Sequence, residues 1–139
     1  MTRTHLPPTR ESVTHKFRLG AQECYLTVGL TPDGQPMEVF VKISKHGGTL
    51  SGLLDSFCRA FSLALQYGLP LDKAVGAFRD MRFEPMGDTD DPDIPNALSL
   101  VDYIVRWLAR HWPETAAPQK REDPCLDPIQ AVAESAAQR

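Results

Sequence analysis

From Ser12 to Ser44 apolar and polar residues alternate, and beyond Thr49 apolar residues recur every three to four positions. The first pattern predicts strands and the second an amphipathic helix. Residues 12–44 are expected to form a three-stranded antiparallel meander. In the first strand, Ser12 to Leu19, the apolar Val13, Phe17 and Leu19 are set against His15, Lys16 and Arg18. Gly20 to Glu23 make a turn, and Cys24 to Leu30 are rich in β-formers. Asp33 and Gly34, flanked by Pro32 and Pro36, signal a hairpin. In the third strand, Met37 to Ser44, Val39, Val41 and Ile43 face one way and Glu38, Phe40 and Lys42 the other.

The helix expected over Thr49 to Tyr67 has the widest apolar surface in the chain. Leu50, Leu53, Leu54, Phe57, Cys58, Phe61 and Leu65 line one face, and Ala60, Leu63 and Ala64 widen it. That width predicts the central and most buried helix. Gly68 and Pro70 stop it. A shorter helix is expected from Pro70 to about Asp80, with Leu71, Ala74, Val75 and Phe78 inward. Residues 81–95 hold three prolines and a glycine and are expected to be a loop, a long one and so a functional candidate. A third helix is expected over Asn96 to His111, capped by Asn96, with Leu98, Val101, Ile104, Val105 and Leu108 inward. Asp102 and Arg106, four apart, are expected to pair on its surface. The sequence therefore reads as an α+β domain: a three-stranded antiparallel meander packed on a long central helix, plus two further helices. Residues 1–11 read as an N-terminal arm, 12–112 as the domain, and 113–139 as a flexible tail.

Composition narrows the function classes. At 139 residues the chain is long enough for one domain with its own core. A net charge of −3 gives no basic footprint for nucleic acid or an anionic membrane, so neither is expected as a partner. No apolar run reaches the roughly 20 residues that span a bilayer, and the first residues lack the apolar segment of a signal peptide. Cys24, Cys58 and Cys125 are odd in number and far apart, which suits a reducing cytoplasm better than a disulfide framework.

Candidate chemistry is sparse. Lys42, Lys45 and His46 precede Gly47 and Gly48 at a helix start. Bare N–H groups at a helix N-terminus attract anions, so Lys45, His46, Gly47, Gly48 and Thr49 are candidates for binding an anion or nucleotide. The plainer reading is a tight strand-to-helix turn with solvated lysines. Asp88, Asp90, Asp91 and Asp93 lack the spacing of a calcium loop, and a role at the start of the third helix is the favoured one. Cys24 and Cys58 read as inert small hydrophobes. Cys125 is the one cysteine expected to be accessible. The four histidines are scattered, with no spacing of a catalytic triad or a metalloprotease. No catalytic residue and no metal site are assigned.

An ordered set of short motifs carries a resemblance. Leu6-Pro7, Thr9-Arg10, Thr14 to Phe17, Tyr25 to Gly29, Asp33-Gly34, Glu38 to Phe40 and Lys45 to Gly48 come first. Ser62 to Gly68, Arg82 to Pro85, Gly87, Thr89 to Ile94 and Ser99 to Tyr103 follow. Over residues 6–112 the chain resembles the TSCPD-type domain of adenosylcobalamin-dependent (class II) ribonucleotide reductases. There it forms the C-terminal portion of the long chain or part of a separate small chain. The name spells Thr-Ser-Cys-Pro-Asp; the aligned residues here are Thr89, Asp90, Asp91, Pro92 and Asp93, so Asp91 stands in place of the cysteine. The cysteine-rich segment that ends long reductase chains is represented only by Cys125. A catalytic barrel with its radical cysteine and cobalamin site does not fit in 139 residues.

The resemblance implies a detached accessory domain of a class II ribonucleoside-diphosphate reductase. It would bind the catalytic chain or its nucleotide and assist deoxyribonucleotide synthesis for DNA replication. Adenosylcobalamin would sit on the partner chain, with no cofactor bound directly. The motif loop contributes Arg82, Glu84, Thr89, Asp91, Asp93 and Asp102 as candidate site residues. Two other readings stay open: a stand-alone nucleotide- or anion-binding module, and a structural homo-oligomer that pairs through its sheet face.

Overall fold

Strand alternation, hairpin chemistry and helical stripes produce the elements they predict. The computed structural model describes residues 2–44 and 48–113. Strands β1 (Ser12–Leu19), β2 (Gln22–Leu30) and β3 (Pro36–Ile43) form an antiparallel sheet in that order. Helices α1 (Thr49–Gln66) and α2 (Leu71–Phe78) follow. A two-residue ribbon then pairs β4 (Gly87–Asp88) with β5 (Asn96–Ala97), and α3 (Leu100–His111) completes an α+β fold. The expected tail, beyond residue 113, lies outside the described residues. Among those residues, no helix is long and apolar enough to cross a membrane.

One face of the sheet carries Phe17, Leu19, Cys24, Leu26, Val28, Val39 and Ile43 into the core. Register corrects one strand assignment. His15 pairs with Leu26 and Phe17 with Cys24, so His15 shares the inward face with Phe17 and Leu19. Of the three polar residues, Lys16 and Arg18 lie on the open face with their cross-strand partners Tyr25 and Glu23. Strict period two requires this, because residues of equal parity share a side.

Burial is deeper on α3 than on α1. Eight of the twelve α3 residues are buried, against six of eighteen in α1. Leu53, expected on the inner face of α1, is 65% exposed. The buried stripe of α1 is instead Leu54, Cys58, Phe61, Ser62, Leu65 and Gln66.

That stripe includes polar residues for a reason found in β3. The outer edge of β3 has no neighbouring strand, and α1 supplies its hydrogen bonds. Ser62 Oγ accepts from the Val39 N–H (2.8 Å) and donates to the Val39 carbonyl (3.2 Å). Gln66 Nε2 donates to the Met37 carbonyl (3.3 Å). The Val41 N–H reaches the Cys58 sulfur. Four residues of helix rise about 6 Å and two residues of strand about 6.8 Å. Positions 58, 62 and 66 therefore step in register with 41, 39 and 37, running the opposite way.

The N-terminal arm lies on this body. Thr4 N–H donates to the Gln66 carbonyl (2.7 Å), and Arg3 Nε to the Gln66 side chain (2.7 Å). Arg10 forks onto Glu38, Nε to Oε1 at 2.6 Å and Nη2 to Oε2 at 3.0 Å. Glu38 can lie across β2 only because residue 29 is glycine: a Cβ there would stand 2.2 Å from Glu38 Oε1.

Candidate functional site

The loop of residues 81–95 is ordered by its acidic side chains. Asp90 N–H donates to the Arg18 carbonyl (3.3 Å), and Asp90 Oδ1 accepts from the Arg18 N–H (2.8 Å). With the Leu19–Thr89 bridge, these bonds fasten the loop to the outer edge of β1. Thr89 Oγ1 accepts from the Asp91 N–H (3.1 Å) and donates to the Ile94 carbonyl. Asp91 Oδ1 accepts from the Asp93 N–H (2.9 Å), an Asx turn. The expected role of these acids at a helix start is not what they do. The cap of α3 is Ser99, whose side chain accepts from the Asp102 N–H. Asn96, the expected cap, lies in β5. Asp93 pairs with Arg110 near the other end of α3 (3.0 Å).

Asp91 also joins the most connected polar group in the fold. The Tyr103 hydroxyl donates to Asp91 Oδ2 (2.8 Å), and His15 Nε2 lies 2.9 Å from the same hydroxyl. The tyrosine has one proton and gives it to the carboxylate. Its oxygen therefore accepts from His15 Nε2–H, which leaves the neutral ring's lone pair on Nδ1. His15 stacks on Trp107 (5.0 Å between ring centres), and Trp107 on His111 (3.8 Å). Tyr103 stacks on Phe17 (4.1 Å).

Electrostatics follow from this packing. Burial lowers the His15 pKa below its ordinary value, against the pull of the Asp91 charge. Partial burial alone pushes Asp91 up. It is outweighed by hydrogen bonds from Tyr103 and the Asp93 and Ile94 amides, together with the His15 charge, so the carboxyl lies below its usual value. Burial, and then the hydrogen bond to Asp91, raise Tyr103 far above the usual phenol, which keeps it a donor. This hydrogen-bonded group braces β1 against α3.

His15 and Tyr103 were not among the sequence candidates. The parity of position 15 with Phe17 and Leu19 was the signal for His15. Tyr103 closes the Ser99 to Tyr103 motif, but its spacing alone gave it no role.

Asp102 has a different setting. It is 0% exposed, not on the surface as its spacing from Arg106 suggested. Oδ1 accepts from the Asp80 N–H (2.8 Å). Oδ2 accepts from the Leu98 N–H (3.0 Å) and Arg106 Nη1 (3.3 Å). It thereby ties the residue after α2 and the strand before α3 to α3 itself. Asp80 holds a left-handed φ of 67° there. Arg82 and Glu84 are exposed at the start of the same loop.

The helix-start candidates divide. Lys45, His46 and Gly47 lie outside the described residues. Gly48 precedes α1 with a φ of 89° and no side-chain cap, and Thr49 opens the helix. Gly48 borders a cavity of about 520 Å3 on the open side of the sheet, with Tyr25, Phe40, Lys42, Ser51 and Asp55. A second hollow, about 530 Å3 and largely apolar, lies between the start of α1, the end of α2 and the start of α3. Cys24 and Cys58 are buried free thiols, their pKa values pushed up by burial to about 11 and about 12. They behave as the inert hydrophobes expected. Among the described residues, no three His, Cys, Asp or Glu side chains gather to hold a metal ion.

Comparison with known proteins bears on this geometry. Residues 1–112 match the model of the TSCPD domain. A vitamin B12-dependent ribonucleotide reductase of Rhodopirellula baltica is 54% identical over 106 residues, 76% of this chain and 10% of that protein. The reductase of the same name from Streptomyces avermitilis is 50% identical over 107 residues, 77% of this chain and 11% of that one. The Bradyrhizobium diazoefficiens reductase is 41% identical over 108 residues, 77% of this chain and 9% of its own length. The chain thus spans about a tenth of the length of these relatives. No solved structure matches it. Matched from its first residue to the end of α3, the chain belongs to the TSCPD domain family.

Proposed function

We propose that this chain is an accessory domain of a vitamin B12-dependent ribonucleoside-diphosphate reductase, which assists deoxyribonucleotide synthesis in the cytoplasm by binding the catalytic chain. The observation that carries the reading is the match itself: half of the aligned residues are shared with reductases, over nearly the whole folded body. The folded body gives that role a physical basis. Its buried polar groups are spent on bracing strands and loops, and its exposed apolar side chains are available for contact. Adenosylcobalamin belongs to the catalytic chain in this reading.

Co-purification and turnover test the proposal. A B12-dependent reductase chain is expected to co-purify with this protein and to change its turnover rate when the protein is added. Failure of both, with the reductase from the same cell, would reject it.

One observation favours a second reading, nucleotide binding. Tyr25 and Phe40 are partly exposed beside Lys42 and the uncapped start of α1, around the cavity on the open side of the sheet. Base stacking on an aromatic ring is worth about 1–3 kcal/mol. Titration with nucleoside di- and triphosphates, with Phe40→Ala as control, tests it. Saturable binding weakened by the substitution supports the reading, and no binding removes it.

A further inference from the structure

The hollow between α1, the end of α2 and the start of α3 is lined by Leu50, Leu53, Phe57, Phe78, Met81 and Phe83, among others. Only Thr49 and Glu84 interrupt the apolar lining. Leu53, Met81 and Phe83 are 65%, 43% and 37% exposed. Large apolar side chains grouped around a hollow of this size mark a contact surface.

Three occupants compete: the residues after 113, a second copy, and the rest of a reductase. The first two are weaker on observations of this chain. The groove lies at the start of α3, and the chain leaves α3 at His111, about three turns away. Residues 114–139 carry five acidic and three basic side chains, the wrong sign for the exposed Glu84 at the rim. A second copy would bring a second Glu84 to the same rim. The relatives favour the third occupant, because in the Rhodopirellula baltica reductase the matching segment is 10% of a longer chain. A domain of that kind has the other nine tenths of a protein to rest on.

We infer that this groove docks an amphipathic helix of the reductase catalytic chain, apolar residues filling the hollow and a basic side chain meeting Glu84. Anchors three and four residues apart suit a groove walled by helices. The inference rests on the accessory-domain reading above and names the surface that reading leaves unspecified.

The test uses the full 139-residue chain and the B12-dependent reductase catalytic chain from the same cell. Wild-type protein is expected to bind. Leu53→Asp and Phe83→Ser are expected to weaken binding by about tenfold or more, as loss of an interface anchor does. Asp33→Ala, at the distant hairpin, is expected to change nothing. Both groove positions are partly exposed, so circular dichroism should match wild type. If wild type binds and both groove variants bind equally well, the groove assignment is wrong and the accessory role stands. If wild type does not bind at all, both fall. A photo-crosslinker at position 53 should label the reductase; label on residues 114–139 or on a second copy would overturn the inference.

Discussion

Asp102 and Asp91 are both carboxylates of the motif region, and both lie within reach of α3, yet their surroundings differ. Asp102 is sealed from water and takes hydrogen bonds from two backbone amides and an arginine. Asp91 stands at the rim, and one of its oxygens is held by a single phenol shared with a histidine. Asp102 has the profile of a structural rivet, with every lone pair directed into the protein's own joints. Asp91 belongs to a hydrogen-bonded set with Tyr103 and His15. The difference separates a carboxylate sealed inside the fold from one tied at its half-buried edge.

The largest expected effect tests the rivet. Asp102→Ala leaves the Asp80 and Leu98 amides and Arg106 without their acceptor. Breaking a buried charged group away from its partners costs about 3–5 kcal/mol, and urea unfolding should register a loss of that order. A loss below about 1 kcal/mol would show that water substitutes for the carboxylate and would erase the contrast.

Tyr103→Phe should have an intermediate effect. It removes the hydroxyl between Asp91 and His15 and should cost about 1–3 kcal/mol, the penalty for buried groups left unmatched. NMR titration of His15 should move with it, because both the hydrogen bond and the route to Asp91 are lost. An unchanged His15 titration would mean that the three groups do not communicate.

Asp91→Asn should be milder still. The single amide oxygen can accept from Tyr103 or from the Asp93 N–H but not from both, so thermal unfolding should change by about 1 kcal/mol, while the His15 pKa should fall as the attracting charge disappears. A loss as large as that of Asp102→Ala would place Asp91 in the structural class.

The smallest effect is in pH dependence. The His15 pKa is lower in the fold than its ordinary value of 6.5, so the unfolded chain binds more protons just below that pH. Stability is therefore present above about pH 6.5 and declines as the pH falls from there towards the folded value. Asp91 is held below 3.8, so its contribution persists until the pH drops beneath that. Urea midpoints at pH 8 and pH 5.5 should show the first decline, and His15→Gln should flatten it. An equal slope in the variant would assign the decline to other groups.

The sheet was legible in the chain because period two and the Asp33-Gly34 hairpin are local signals. So were the limits of α1, set by Gly68 and Pro70, and of α2. The candidate site was legible in part. Acid-rich residues 88–93 were visible as a motif, but their partners, Arg18, Tyr103 and His15, arrive from other elements, and local spacing does not pair them. The exposure of Leu53 and the burial of Asp102 have a common cause. Helical spacing says which residues share a face, and only packing says which wall that face meets. Strands of two residues such as β4 and β5 have no period to read. With Asn96 drawn into β5, the cap passes to Ser99, a residue equally able to serve.

The step of Cys58, Ser62 and Gln66 along β3 has a consequence for the domain's behaviour among other proteins. An outermost strand with free amides invites another chain to zip onto it, which is how ordered aggregates begin. Here serine and glutamine occupy those amides and carbonyls before a stranger can. Replacing Ser62 with alanine would leave the Val39 amide and carbonyl unpaired beneath α1.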